Sequence, residues 1–66
     1  MIRNGNKIRL TASEKAFLSQ LAQETVDPQT VADYNAWIEH GVADFSEADP
    51  EERLYKRAIE GMKIED

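Results

Sequence analysis

The sequence predicts an all-α or mostly α fold: a small three-helix domain with a short N-terminal strand or arm. Two observations carry that prediction. Three helix-capping signals stand at positions 11, 27 and 49, and each is followed by apolar residues at helical spacing. A third observation bounds it: 66 residues make one domain with little volume for a deep core or an enclosed pocket.

Residues 1–10 precede the helical part, and their pattern admits three forms. They are a frayed arm, a tiny hairpin turning at Asn4-Gly5, or one strand from about Asn6 to Leu10. In the strand, Ile8 and Leu10 face inward while Lys7 and Arg9 face out. A lone strand requires a partner, which a second copy of the chain would supply, so a homodimer is one expectation.

Helix 1 is expected over about 12–25 within the domain 11–66. Thr11-Ala12-Ser13-Glu14 reads as a capping box, with Phe17, Leu18, Leu21, Ala22 and Thr25 on one stripe. Helix 2 is expected over about 28–40. Asp27 stands at its cap, Pro28 at its first position, and Val26 and Val31 at the spacing of a hydrophobic staple. Its apolar face is Val31, Tyr34, Ile38 and Val42, and Gly41 stands where a left-handed terminal residue belongs. The segment 41–48 reads as a loop anchored by Val42 and Phe45. Helix 3 is expected over about 50–62. Asp49-Pro50-Glu51-Glu52 repeats the cap-proline arrangement and adds a second capping box, with Leu54, Tyr55, Ala58, Ile59 and Met62 as its stripe. The expected core is Phe17, Leu18, Leu21, Val31, Tyr34, Ile38, Leu54 and Ile59.

Charge is segregated along the chain. From Ala16 to Glu52 there is no lysine or arginine but nine carboxylates, whereas residues 1–15 balance to +3 and residues 53–66 to +1. A one-sign field over the middle of so small a protein steers a basic partner and repels an acidic one. Solubility needs net charge but not segregation, so the pattern points to a partner. There is no cysteine, hence no disulfide and no thiolate metal site, which fits a reducing compartment. No apolar run approaches the roughly 20 residues that cross a bilayer, and the start lacks a signal-peptide type stretch, so the expected location is cytoplasmic.

Catalysis finds no constellation. His40 is the only histidine, the three glycines stand singly, and Ser13, Ser19 and Ser46 have no histidine or lysine at a motif spacing that suggests activation. Asp44, Glu47, Asp49 and Glu51 crowd one loop, but Ala48 and Pro50 occupy places where a calcium loop needs ligands or its turn glycine. No enzyme activity, cofactor or metal is therefore expected. Trp37 lies about 60° round helix 2 from the apolar arc, beside Asp33 and His40, at the core edge or exposed. As core it caps a domain short of large side chains; as surface it is an interface anchor.

Two functional readings follow. The first is a small acidic non-enzymatic module that docks on a basic protein partner through Asp33, Tyr34, Trp37, Asp44 and Glu47. Such a partner includes a nucleic-acid-binding protein whose site the carboxylates fill in place of phosphates. In size and charge the chain resembles the small inhibitors encoded by phages and mobile elements, anti-CRISPR proteins among them; the resemblance is compositional. In the second reading, a short strand followed by two helices over residues 6–40 resembles the ribbon-helix-helix family of DNA-binding regulators and antitoxins. That resemblance implies that strands from two subunits pair and enter the major groove, with Lys7, Arg9 and Thr11 at the reading positions. The family usually has a glycine between its helices, where this chain has Thr25-Val26-Asp27-Pro28.

Overall fold

The computed structural model describes residues 1–65: a two-stranded antiparallel hairpin followed by three helices. The elements are β1 (Ile2–Asn4), β2 (Lys7–Arg9), α1 (Ala12–Ala22), α2 (Val31–Val42) and α3 (Pro50–Glu60).

Of the three forms open to residues 1–10, the hairpin is the one adopted, with its turn one residue later than the expected Asn4-Gly5. Ile2 pairs with Arg9, Arg3 with Ile8 and Asn4 with Lys7, around a two-residue turn at Gly5-Asn6. Gly5 has φ 61° and Asn6 does not share the positive φ, the pattern of a type II′ turn, for which glycine is the residue without steric cost. Ile8 and Leu10 are buried and Lys7 and Arg9 exposed, as alternation requires. The second edge of β2 is also occupied. The Ile8 amide donates to the Gln29 carbonyl (3.0 Å) and the Val31 amide to the Asn6 carbonyl (2.9 Å), with an antiparallel bridge between Lys7 and Thr30.

This third backbone run corrects the expected start of helix 2. A helix from Pro28 would turn the Gln29 carbonyl into the helix and forfeit its bond to β2. Residues 29–30 stay extended instead, Pro28 is buried in the connection, and Thr30 caps α2 by accepting from the Asp33 amide (3.2 Å). Helix 1 also ends early, at Ala22. Gln23 adopts the left-handed conformation (φ 59°, ψ 31°), its amide donating to Gln20 and the following Glu24 amide to Ser19, which is a Schellman stop built without glycine. Gly41, expected to end helix 2, lies inside it. A Cβ there would overlap Leu21 of α1, so this glycine permits close helix approach and not a left-handed stop. Helix 3 starts at Pro50 as expected, Asp49 accepting from the Glu51 and Glu52 amides, and ends at Glu60, two residues short. Its expected capping box is incomplete, because the Glu52 side chain does not reach back to the Asp49 amide. The capping box of α1 is complete in both directions.

The core joins the hairpin, α1, α2 and the connection: Ile8, Leu10, Leu18, Ala22, Val26, Val31, Tyr34 and Ile38, with Ile38 fully excluded from solvent. Leu21 and Ile59 are half-buried against it. Phe17 and Leu54 are not core residues: they are 42 % and 67 % exposed. For Leu54 the reason is the rotation of α3. Glu52, Lys56 and Ile59 are the helix's half-buried residues, and Lys56 reaches back to Glu47 in the loop after α2. Tyr55, beside this arc, and Leu54, on nearly the opposite side of the helix, are left facing solvent, as is Met62 just beyond its end.

No residue of α3 is fully buried. The helix and the tail after it are tied by polar contacts: Lys56 Nζ to Glu47 Oε1 (3.0 Å), Lys63 Nζ to Glu39 Oε1 (2.6 Å), and Asn35, whose side chain both accepts from the Ile64 amide and donates to its carbonyl (2.8 Å each). The lysines hold the Glu47 and Glu39 carboxyls below the usual carboxylate range, by hydrogen bonding first and charge second.

Three outcomes test this packing. Ile38→Ala should cost about 2–5 kcal/mol and Leu54→Ala within about 0.5 kcal/mol of nothing, read from denaturant midpoints. Gly41→Ala should destabilise by about 1–3 kcal/mol although alanine is the better helix former, because Leu21 must move. For Glu39 and Glu47 the folded pKa is depressed, so their stabilisation is present above the unfolded carboxyl pKa and lost as pH falls through the folded one. Denaturant midpoints measured from neutral to acid pH should therefore fall less steeply for a Lys56→Met/Lys63→Met chain than for the parent.

Candidate protein-binding surface

The exposed face of α2 carries a line of side chains at i, i+4, i+7 and i+11: Asp33, Trp37, His40 and then Asp44, just beyond the helix. At about 1.5 Å per residue the line is roughly 16 Å long. Its position follows from the helix phase. Val31, Tyr34, Ile38 and Val42 point inward, so the residues on the opposite arc point out.

Trp37 is half-buried. One part of its ring packs against the core and the rest meets solvent. The His40 ring stands edge-on to it, centroids 5.3 Å apart and planes at 88°. Asp33, Ala36, Trp37 and His40 together line a shallow depression, and His40 and Asp44 border a second one that reaches Phe45 and Leu21. Asp33 and Asp44 are exposed, and no ion pair engages either among the described residues. The arrangement sets a half-exposed aromatic ring between two exposed carboxylates that no ion pair engages.

Two of the expected anchors fall outside this line. Tyr34 is a core residue, 6 % exposed, so it is not an anchor on that face; its hydroxyl pKa is raised by burial and secondarily by the Glu14 charge. Glu47 points to α3, where Lys56 neutralises it. The residues of the DNA-binding reading lie on the hairpin side. Lys7 and Arg9 are exposed on the outer face of β2, and the Thr11 hydroxyl is occupied in capping α1, accepting from the Glu14 amide (3.2 Å).

A second surface was not anticipated. Phe17, Leu18, Tyr34 and Met62, with Ser13 and Glu14 at the rim, line a groove of about 230 Å³ between α1 and the end of α3. The Glu14 carboxylate at this rim receives the Thr11 amide and the terminal ammonium of Met1 (3.0 Å), which keep its pKa low. Its apolar lining belongs to the stripes of helices 1, 2 and 3, and apolar periodicity by itself predicts burial and not a groove.

Among the described residues no cluster of three or more histidine, aspartate or glutamate side chains is placed to hold a metal ion, and no helix is long and apolar enough to cross a membrane. No protein-family model, curated protein or solved structure matches this chain.

Proposed function

We propose that the protein is a non-enzymatic binding module that docks on a basic protein through the α2 line, with Trp37 as anchor and Asp33 and Asp44 as flanking charges. The observation that carries this reading is the half-exposed tryptophan set between two exposed carboxylates, in a stretch that holds no lysine or arginine from residue 16 to 52. Partly buried aromatic side chains contribute most to holding a complex, while carboxylates at the rim mainly accelerate its formation and make it salt-sensitive. Glu39 and Glu47, engaged by lysines, contribute less to the field than their place in the sequence implies. A basic partner that itself binds nucleic acid is included in this reading, the carboxylates then standing where phosphates would; small phage-encoded inhibitors act in this manner.

The rival reading, a DNA-binding ribbon using Lys7 and Arg9, meets an obstacle in the backbone. In the ribbon-helix-helix arrangement the strand before the first helix pairs with its copy in a second subunit. Here both edges of β2 are occupied within the chain, by β1 and by residues 29–31. Affinity for DNA also rests on phosphate neutralisation, which a net charge of −5 opposes.

The experiment uses the partner captured from the native host and identified by mass spectrometry, and a panel of duplex DNA. Asp33→Lys/Asp44→Lys should slow association with the partner most at low salt, and Trp37→Ala should speed dissociation by roughly tenfold or more while the circular dichroism spectrum is kept. Sequence-specific duplex binding that disappears in Lys7→Ala/Arg9→Ala, with the acidic reversals harmless, would overturn the reading in favour of the rival.

A further inference from the structure

We propose that Asn4-Gly5 is a site of spontaneous covalent modification, at which Asn4 loses its side-chain amide through a succinimide and becomes aspartate or isoaspartate. The hairpin turn is separate from the α2 line, and the inference does not rest on the function proposed above.

Asparagine is chemically labile, but a fold decides which asparagine reacts. The side-chain amide and the next backbone nitrogen must be disengaged, that nitrogen must be uncrowded, and the backbone must leave its place without unfolding the molecule. The turn meets all three conditions. Asn4 and Gly5 are exposed, and among the described residues no hydrogen bond engages the Asn4 side chain or the Gly5 amide. Gly5 has no side chain, and the space where a Cβ would stand is open. Asn4 ends β1 and forms the last pair of the ladder, with Lys7. All three residues of β1 are exposed, and β2 keeps its second edge on residues 29–31, so β1 detaches as a local event.

The charges around the turn act in the same direction. Arg3 donates from Nε to the Gly5 carbonyl (2.9 Å), and Lys7 stands across the ladder from Asn4 on the same face. Nearby cations favour the deprotonated form of a group, here the Gly5 amide, which gives its proton to hydroxide before it attacks. Gly5 N then bonds to Asn4 Cγ, the Cγ–Nδ2 bond breaks, and Nδ2 takes a proton from water and leaves as ammonia. Water opens the resulting ring at one of its two carbonyls. Cleavage of the new Gly5 N–Cγ bond leaves an aspartate at position 4. Cleavage of the original peptide bond leaves isoaspartate, whose main chain runs through Cγ and is one carbon longer.

The other asparagines lack these conditions. Asn6 is followed by Lys7, whose side chain crowds the nitrogen, and its carbonyl is held by the Val31 amide (2.9 Å). Asn35 lies inside α2, with both ends of its side-chain amide engaged by Ile64 (2.8 Å each). The two products also differ in what the hairpin tolerates. An aspartate at position 4 faces Lys7 as an opposite charge and fits the ladder. Isoaspartate does not fit. Its added carbon displaces Ile2 and Arg3 from their register with Arg9 and Ile8, and with Arg3 goes its bond to the Glu65 carbonyl (3.2 Å).

The test is incubation of the full chain in mildly alkaline buffer beside a free peptide spanning Ile2 to Lys7. Tandem mass spectrometry locates the amide-to-acid change, and labelling by an isoaspartyl methyltransferase counts isoaspartate. Conversion at Asn4 should run within about tenfold of the peptide's rate, and at least roughly tenfold faster than at Asn6 or Asn35 in the same chain. The isoaspartyl form should lose amide protection in β1 while α1 and α2 keep theirs. Asn4→Gln, whose longer side chain closes only a less favoured six-membered ring, should abolish the change at position 4 and keep the circular dichroism spectrum. Two results would overturn the inference: Asn4 intact in the folded chain after the peptide has been fully converted, or Asn6 or Asn35 converting as fast as Asn4.

Discussion

The double pairing of β2 is the constraint on which the rest of the fold depends. One edge of three residues is hydrogen-bonded to β1 and the other to the chain just before α2. The strand's alternation drives Ile8 and Leu10 under α1 and α2, and its outer edge determines where α2 can begin. Through Thr30 the same pairing sets the phase of α2, which in turn decides that Tyr34 and Ile38 are core and that Asp33, Trp37 and His40 are surface. A chain too short for a second core layer uses backbone pairing to orient the helix that organises it.

Local signals made much of this legible, and non-local ones account for what was not. The caps at Thr11 and Asp49 formed because capping involves only the next three residues. Asp27-Pro28 carried an equally good local signal and lost, because the backbone of 29–31 satisfies its hydrogen bonds with β2 instead of with a helix. The stop at Gln23 had no glycine to announce it. The stripe of α3 was correctly read as one face but not for its destination: the choice between core and surface rested on lysines finding Glu39 and Glu47, contacts 24 and 9 residues apart in sequence. Three full stripes were also more than a 66-residue core could take in.

The candidate site shows the same division. Asp33 and Trp37 were recognisable as neighbours because helix phase is a local property, and Asp44 falls one turn beyond His40 on the same line. Tyr34 belonged to the apolar arc already, and its burial follows from that arc. The pairing of Glu47 was invisible in a sequence that simply showed it among other acids. Charge segregation along the chain therefore overstates segregation in space. Cations of the last segment fold back on part of the acidic middle, and Asp33 and Asp44 are the carboxylates left without an ion pair beside Trp37.

The polar attachment of α3 has a consequence for how the protein comes apart. The hairpin, α1 and α2 share one apolar cluster, whereas α3 and the tail after it are linked to that cluster through Ile59 and Ile64, two ion pairs and the Asn35 clamp on Ile64. The α3 amides should therefore exchange with solvent through a sub-global opening that leaves the remaining fold protected. The chain is in this sense expected to open as two units of unequal stability, the weaker being the helix that bears the exposed Leu54 and Tyr55.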